Sequence, residues 1–83
     1  MENLRNRNVV LLSKNTDTRE KIRLVIGKFP ECTLQILKSK EYLLTIMDPK
    51  LIIIDLESLK DLPEILEKLK IAKRSYTFYS LFI

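Results

Sequence analysis

Two short apolar runs constrain the possible folds of this 83-residue chain more than any other feature. The first is Val9–Leu12, and the second is Leu51–Ile54, which leads directly into Asp55. Short runs that are apolar at every position are typical of strands buried on both faces, as in parallel sheets. Such strands need helices on both sides, so the rest of the chain has to supply amphipathic helices.

The segments that follow the first run carry the patterns of two helices and a strand. Asp17 and Glu20 have the spacing of a capping box, and a stripe at helical spacing follows them: Ile22, Val25, Ile26 and Phe29. The alternating segment Thr33–Leu37 predicts a more polar edge strand. Ser39 predicts the cap of a helix over Lys40–Met47. That helix is expected to turn four side chains inward: Tyr42, Leu43, Ile46 and Met47.

The second half of the chain again alternates strands with helices. After a strand over Leu51–Leu56, Asp61 predicts the N-cap of a further helix, with Pro63 in its first turn. Its apolar stripe consists of Leu62, Ile65, Leu66 and Leu69. The aromatic segment Ser75–Ile83, SYTFYSLFI, predicts a last strand. The order β-α-β-α-β-α-β predicts one domain over residues 1–83, a three-layer α/β fold with an open parallel sheet and the two apolar strands at its centre.

Composition excludes several kinds of site. The chain has one cysteine, Cys32, and no histidine. An internal disulfide, zinc sites built on cysteine and histidine, and histidine-dependent triads are therefore excluded. We expect Cys32 to be half-buried at the start of an edge strand. No apolar run approaches the roughly 20 residues of a membrane span, and no signal-peptide pattern is present. We therefore expect a cytoplasmic protein without membrane contact.

The net charge of +4 is carried by residues 1–30. A basic segment over residues 5–28 could attract nucleic acid or an acidic partner. No glycine-rich or aromatic-interleaved RNA-binding motif accompanies it. A solvated helix face therefore explains the charge better, and nucleic-acid binding is kept as an alternative.

The chain resembles the receiver domain of bacterial two-component response regulators. The resemblance rests on the first strand, the triplet Ser13-Lys14-Asn15, the segment TDTREKIRLVI and the later PKLIIIDLES. It implies a flavodoxin-like sheet with strand order 2-1-3-4 that lacks the last strand and last helix of the family. It also implies that Asp55 holds the phosphoacceptor position and that Ser80 lies near the switch position.

The resemblance fails at the magnesium site. Ser13 and Lys14 stand where the family carries a pair of acids. Mg²⁺ prefers carboxylate oxygens, and phosphoryl transfer depends on the bound metal. We therefore expect a degenerate receiver that is not an enzyme and has no catalytic residue, metal or cofactor. Mg²⁺ would be a cofactor only if the chain were a phosphorylatable receiver with Asp55 as the acceptor. Lys14 is expected to neutralise Asp55, and a purely structural role for Asp55 at the strand end stays open.

The last predicted strand is apolar on both faces and needs cover. Such a strand indicates either a fragment of a longer protein or self-association. We predict a homodimer whose interface contains Tyr76, Phe78, Tyr79, Leu81, Phe82 and Ile83. The expected function is a non-catalytic signalling module that contacts a second copy, a sensor protein or an output domain. Three alternatives stay open: a phosphorylatable receiver in transcription regulation, a small basic nucleic-acid-binding protein, and another flavodoxin-like or anti-sigma-antagonist-like domain.

Overall fold

The computed structural model describes residues 7–58 and 60–83. In these residues the chain forms four strands: β1 (Arg7–Leu12), β2 (Cys32–Leu37), β3 (Pro49–Ile54) and β4 (Tyr79–Phe82). It also forms two α-helices, α1 (Thr16–Ile26) and α2 (Leu62–Ala72), and two 3₁₀ helices, Lys40–Leu44 and Leu56–Ser58. The first two positions of the predicted basic segment, residues 5–6, lie outside the described residues.

The strands form one sheet in which every pairing is parallel and the order is β2-β1-β3-β4. The two apolar strands β1 and β3 lie at the centre, and the more polar β2 lies at an edge. The α/β class, the parallel sheet and the 2-1-3-4 order are therefore confirmed. This topology is consistent with a flavodoxin-like fold.

Alternate residues of the central strands divide the core into two parts. On one face, α2 packs through Ile65, Leu69 and Ala72 against a cluster that includes Val10, Leu12, Ile52 and Ile54. On the other face, α1 packs through Ile22 and Ile26 against Val9, Leu11 and Ile53. Because β1 and β3 are covered on both faces over Val9–Leu12 and Leu51–Ile54, these positions have to be apolar, which explains the two runs in the sequence. The polar residues Arg7, Asn8 and Lys50 lie before the runs. The predicted three layers are present.

The predicted helix over Lys40–Met47 is wrong. The chain forms a 3₁₀ helix over Lys40–Leu44, and Tyr42 and Met47 are exposed whereas Leu43 and Ile46 are buried. Thr45 explains the difference, since its backbone N–H and its hydroxyl both donate to the Tyr42 carbonyl, at 3.0 and 2.7 Å. This bonding to the residue three positions back closes a 3₁₀ turn. So short a segment also gains little from propagating an α-helix.

The helix caps differ from the sequence pattern. Helix α1 begins two residues earlier than its predicted capping box, and its N-cap is Asn15, whose Oδ1 accepts from the Thr18 N–H at 3.1 Å. The prediction of Asp17 as N-cap is therefore wrong. Asp61 does hold the N-cap position of α2, but its side chain makes no bond to the helix amides. Its carboxylate instead accepts from Lys40 Nζ at 2.9 Å.

The last strand is shorter than the predicted Ser75–Ile83, because β4 covers only Tyr79–Phe82. Phe78, just before the strand, is buried in the core beneath α2, and Tyr76 packs against the same cluster. Phe78 is thus covered by the chain itself, and Tyr76 is partly covered.

Candidate functional site

The carboxyl ends of β1 and β3 bring Ser13 and Asp55 together. The two strands are paired in register from Leu11–Ile53 to Leu12–Ile54, and the Asp55 N–H donates to the Leu12 carbonyl at 3.0 Å. This end of an open parallel sheet is where such folds bind ligands. The position predicted for the acceptor carboxylate and the first position of the missing acid pair are therefore neighbours.

Asp55 is a buried carboxylate with only 4% of its surface exposed. Its Oδ2 accepts from Ser13 Oγ at 2.8 Å, and its Oδ1 accepts from the Glu57 N–H at 3.1 Å. The second contact is the turn-type bond to a residue two positions on that Asp often makes. Both oxygens are thus engaged with the chain.

Ser13 is fully buried and connects Asp55 to the start of α1. Its Oγ donates to Asp55 and accepts from the Asn15 N–H at 3.1 Å, while its carbonyl accepts from Arg19 Nε at 2.7 Å. The loop after β1 is held from three sides, so Ser13 has a defined structural role. Sequence reasoning named Asn15 as a residue of this loop without predicting its contact with Ser13, and it did not single out Arg19. The only available signal was that Arg19 lies in the first turn of α1, facing back over the loop.

Lys14, the next residue, is exposed at the surface of the same loop. The contact predicted between the Lys14 ammonium and the Asp55 carboxylate stays a prediction. Over residues 7–58 and 60–83 there is no group of three or more His, Cys, Asp or Glu side chains suited to hold a metal ion. Asp55 would be a single carboxylate ligand, whereas Mg²⁺ sites combine carboxylates with near-octahedral geometry.

Ser80 does not lie beside Asp55. Its register partner is Ile52, and at about 3.3 Å per residue the three-residue offset along β3 corresponds to about 10 Å. Ser80 instead lines a cavity of about 360 Å³ between α2 and β4, together with Leu66, Leu69, Lys70, Lys73 and Phe82. The proposed switch role of Ser80 gains no support from this position.

A second polar cluster lies on the surface around Lys40. Its ammonium is 2.9 Å from Asp61 Oδ2, 3.6 Å from Glu64 Oε1 and 3.6 Å from Glu41 Oε2. The hydrogen bond that the Lys40 ammonium donates to Asp61 is the largest cause that raises the pKa of Lys40. The Ser39 hydroxyl, which donates to the Glu41 carboxylate, is the largest cause that lowers the pKa of Glu41. The cluster joins the 3₁₀ helix to α2 at the surface, so we interpret it as a structural link between these two elements.

The outer strand β4 presents an apolar surface. We call Tyr79, Leu81, Phe82 and Ile83 the β4 edge surface. Tyr79 is 81% exposed, and the other three are exposed by 40 to 49%. Among residues 7–58 and 60–83, no strand pairs with the outer side of β4. Large apolar side chains on an unpaired edge are typical of an interaction site.

A second cavity of about 540 Å³ lies at the opposite, amino end of the sheet, on the side of α1. It is lined by Arg7, Val9, Cys32, Lys50, Leu51, Thr77 and Tyr79. Cys32 is half-buried at the start of the edge strand β2, as predicted. Lys50 is 3.3 Å from the Asp48 carboxylate, so one of the two cations at the rim already has a partner.

Comparisons of the chain with protein-family models, with characterised proteins and with solved structures found no match. In the part of the chain that the structure describes, neither helix has the length and hydropathy needed to cross a bilayer.

Proposed function

We propose that this chain is a non-catalytic regulatory module of the two-component type. In this proposal it is a degenerate receiver that acts through protein–protein contacts, including contacts with a second copy of itself. Its other partners would be a sensor protein or an output domain. The burial of Asp55 carries the proposal, because a phosphoacceptor must present an oxygen to its donor.

Two physical obstacles oppose phosphorylation of Asp55. The carboxylate is 4% exposed, and each of its oxygens accepts a hydrogen bond from the chain. An incoming phosphoryl group would also bring negative charge to a carboxylate, which normally requires a metal clamp. The neighbouring Ser13 hydroxyl is a poor substitute for a metal-binding carboxylate.

The β4 edge surface supports action by contact. It combines exposed aromatic and aliphatic side chains with a strand edge that no other described strand covers. Tyrosine and phenylalanine are enriched at protein interfaces, because they offer a large area at a small entropic cost.

The proposal is tested by light scattering over a range of micromolar chain concentrations, with wild type and Asp55→Asn. We expect a mass above that of the monomer that increases with concentration and is the same for both proteins. A mass that stays monomeric throughout would contradict the proposed self-association. Association that requires acetyl phosphate and Mg²⁺ would instead favour the phosphorylatable receiver.

A further inference from the structure

Among residues 7–58 and 60–83, the backbone of β4 is bonded to β3 on one side and to no strand on its other side. The Ile83 N–H donates to the Ile54 carbonyl at 2.9 Å, and the Ile83 carbonyl accepts from the Leu56 N–H at 3.0 Å. In a strand, the backbone groups of successive residues point to opposite sides. The N–H and C=O groups of Ser80 and Phe82 therefore point away from β3, towards the open edge.

The side chains of β4 alternate between the two faces of the sheet. Tyr79 and Leu81 lie in register with Leu51 and Ile53 on the side of α1. Ser80 and Phe82 lie on the side of α2 and line the cavity of about 360 Å³. Residues 75–83 carry no charged side chain, so two copies of this segment can meet without like-charge repulsion between facing side chains.

We propose that the partner at this edge is a second copy of the chain, which pairs with β4 in an antiparallel manner across a two-fold axis through Leu81. This inference rests on the proposed function and specifies its self-association. Two parallel four-stranded sheets would then join into one eight-stranded sheet. Antiparallel pairing follows from the two-fold symmetry of most dimers.

The open backbone groups select the register. In an antiparallel pair, residues that face each other lie on the same side of the sheet. The open N–H and C=O groups of Ser80 and Phe82 must also be hydrogen-bonded to the strand of the partner subunit. With Leu81 on the axis, Ser80 faces Phe82 of the partner subunit, and Tyr79 faces Ile83 of the partner subunit. A register centred on Ser80 would have to extend the strand back to Phe78, which lies outside β4 and is buried in the core.

The cavity beneath the open edge fits this register. Ser80 is the smallest side chain that lines it, and Leu66 and Leu69 form its apolar wall. The register brings Phe82 of the partner subunit directly opposite Ser80, where its ring can fill that space. Lys70 and Lys73 at the rim can cover the ring with their aliphatic stems while their ammonium groups stay in water.

The available area indicates a weak dimer. An aromatic side chain buries about 150–250 Å² when it is fully covered, so the β4 edge surface offers on the order of a few hundred Å² per subunit. A standard stable interface buries about 800 Å² per partner. We therefore expect dissociation in the micromolar range, as in transient complexes.

Disulfide crosslinking tests the register. In a Cys32→Ser background, Leu81→Cys places two cysteines on the axis, where facing Cα atoms of a non-hydrogen-bonded pair are about 4.5 Å apart, within disulfide reach. We expect a crosslinked dimer after mild oxidation. Tyr79→Cys is the matched control, because it lies on the same face and is more exposed. In this register its two copies are offset by four residues, about 13 Å along the strands.

Crosslinking at position 79 that equals or exceeds that at position 81 would overturn the register. So would a dimer in light scattering that gives no crosslink at position 81, and that result would leave the proposed function intact. A chain that stays monomeric in light scattering would overturn both the register and the proposed function.

Leu81→Lys supplies an independent measurement, since two ammonium groups on the axis should abolish the dimer. Leu24→Lys, at an exposed site on α1, should leave it unchanged, with circular dichroism to verify that both variants fold.

Discussion

Replacement of Ser13 by alanine tests the link between the two strand ends at the candidate site. The substitution removes the 2.8 Å hydrogen bond to the buried Asp55 carboxylate and the acceptor of the Asn15 N–H. A hydrogen bond to a charged group contributes about 1.5–3 kcal/mol, and a buried carboxylate that loses a donor retains its desolvation cost. We therefore expect a loss of about 2–3 kcal/mol in the free energy of unfolding.

That loss is large for a chain of this size, since folded proteins are stable by only about 0.05–0.15 kcal/mol per residue. Urea unfolding followed by circular dichroism measures it. With a slope of about 1 kcal/mol per M, the midpoint should fall by about 2–3 M. Ser80→Ala is the matched control, because Ser80 is exposed and surface substitutions change stability by about 0.5 kcal/mol or less.

A double-mutant cycle with Asp55→Ala separates the pair interaction from other effects of the substitution. We expect Ser13 and Asp55 to show a coupling energy of about 1 kcal/mol or more, as contacting residues in one network do. A coupling energy near zero, or a Ser13→Ala loss no larger than that of Ser80→Ala, would refute the assignment of Asp55 as a carboxylate held by Ser13.

Three further variants test the architecture around the site. Asn15→Ala removes the N-cap of α1 and should cost about 1 kcal/mol in urea unfolding; no measurable loss would contradict the observed start of the helix. Leu43→Ala should cost about 2–5 kcal/mol because the side chain is buried, whereas the same change at exposed Leu44 should cost much less; equal losses would contradict the packing of the 3₁₀ helix. The pKa of Lys40 is raised, chiefly by its bond to Asp61, so its contribution to stability is present at neutral pH and lost as the pH rises through that raised pKa. Lys40→Met should therefore lower the thermal midpoint slightly at neutral pH and not in strong alkali, and a difference that is independent of pH would refute this role.

The apolar runs were enough to predict the centre of the fold. The apolar runs Val9–Leu12 and Leu51–Ile54 fill the parts of β1 and β3 that are covered on both faces, and this pattern directly reflects their place in the sheet. The stripe of α2 predicted its buried residues Ile65 and Leu69. Its other two members, Leu62 and Leu66, are exposed. These features depend on burial along a whole element, and the spacing of apolar residues in the sequence reflects that burial.

The predictions that were wrong concern features that depend on single local contacts. The segment Lys40–Met47 has a helical pattern, yet the hydrogen bonds from Thr45 to the Tyr42 carbonyl favour a 3₁₀ turn. Asn15 and Asp17 are both good N-cap residues, and the hydrogen bond to Thr18 selects the first. Such choices are decided by neighbouring structure.

The site was predicted in part. The positions of Ser13 and Asp55 at adjacent strand ends follow from the central placement of the two apolar strands, which the sequence pattern predicted, and from the strand order that the resemblance implied. Their hydrogen bond, and the contact of Arg19 with the Ser13 carbonyl, depend on strand register and side-chain orientation. Neither quantity can be read from residue spacing.

The central claim is that Asp55 is a buried structural carboxylate and does not accept a phosphoryl group. Incubation with acetyl phosphate and Mg²⁺, followed by intact-mass measurement, tests it most directly, with Asp55→Asn as the control. The account predicts that wild type and Asp55→Asn keep their unmodified masses. A phosphoryl adduct on the wild type that is lost in Asp55→Asn would contradict it.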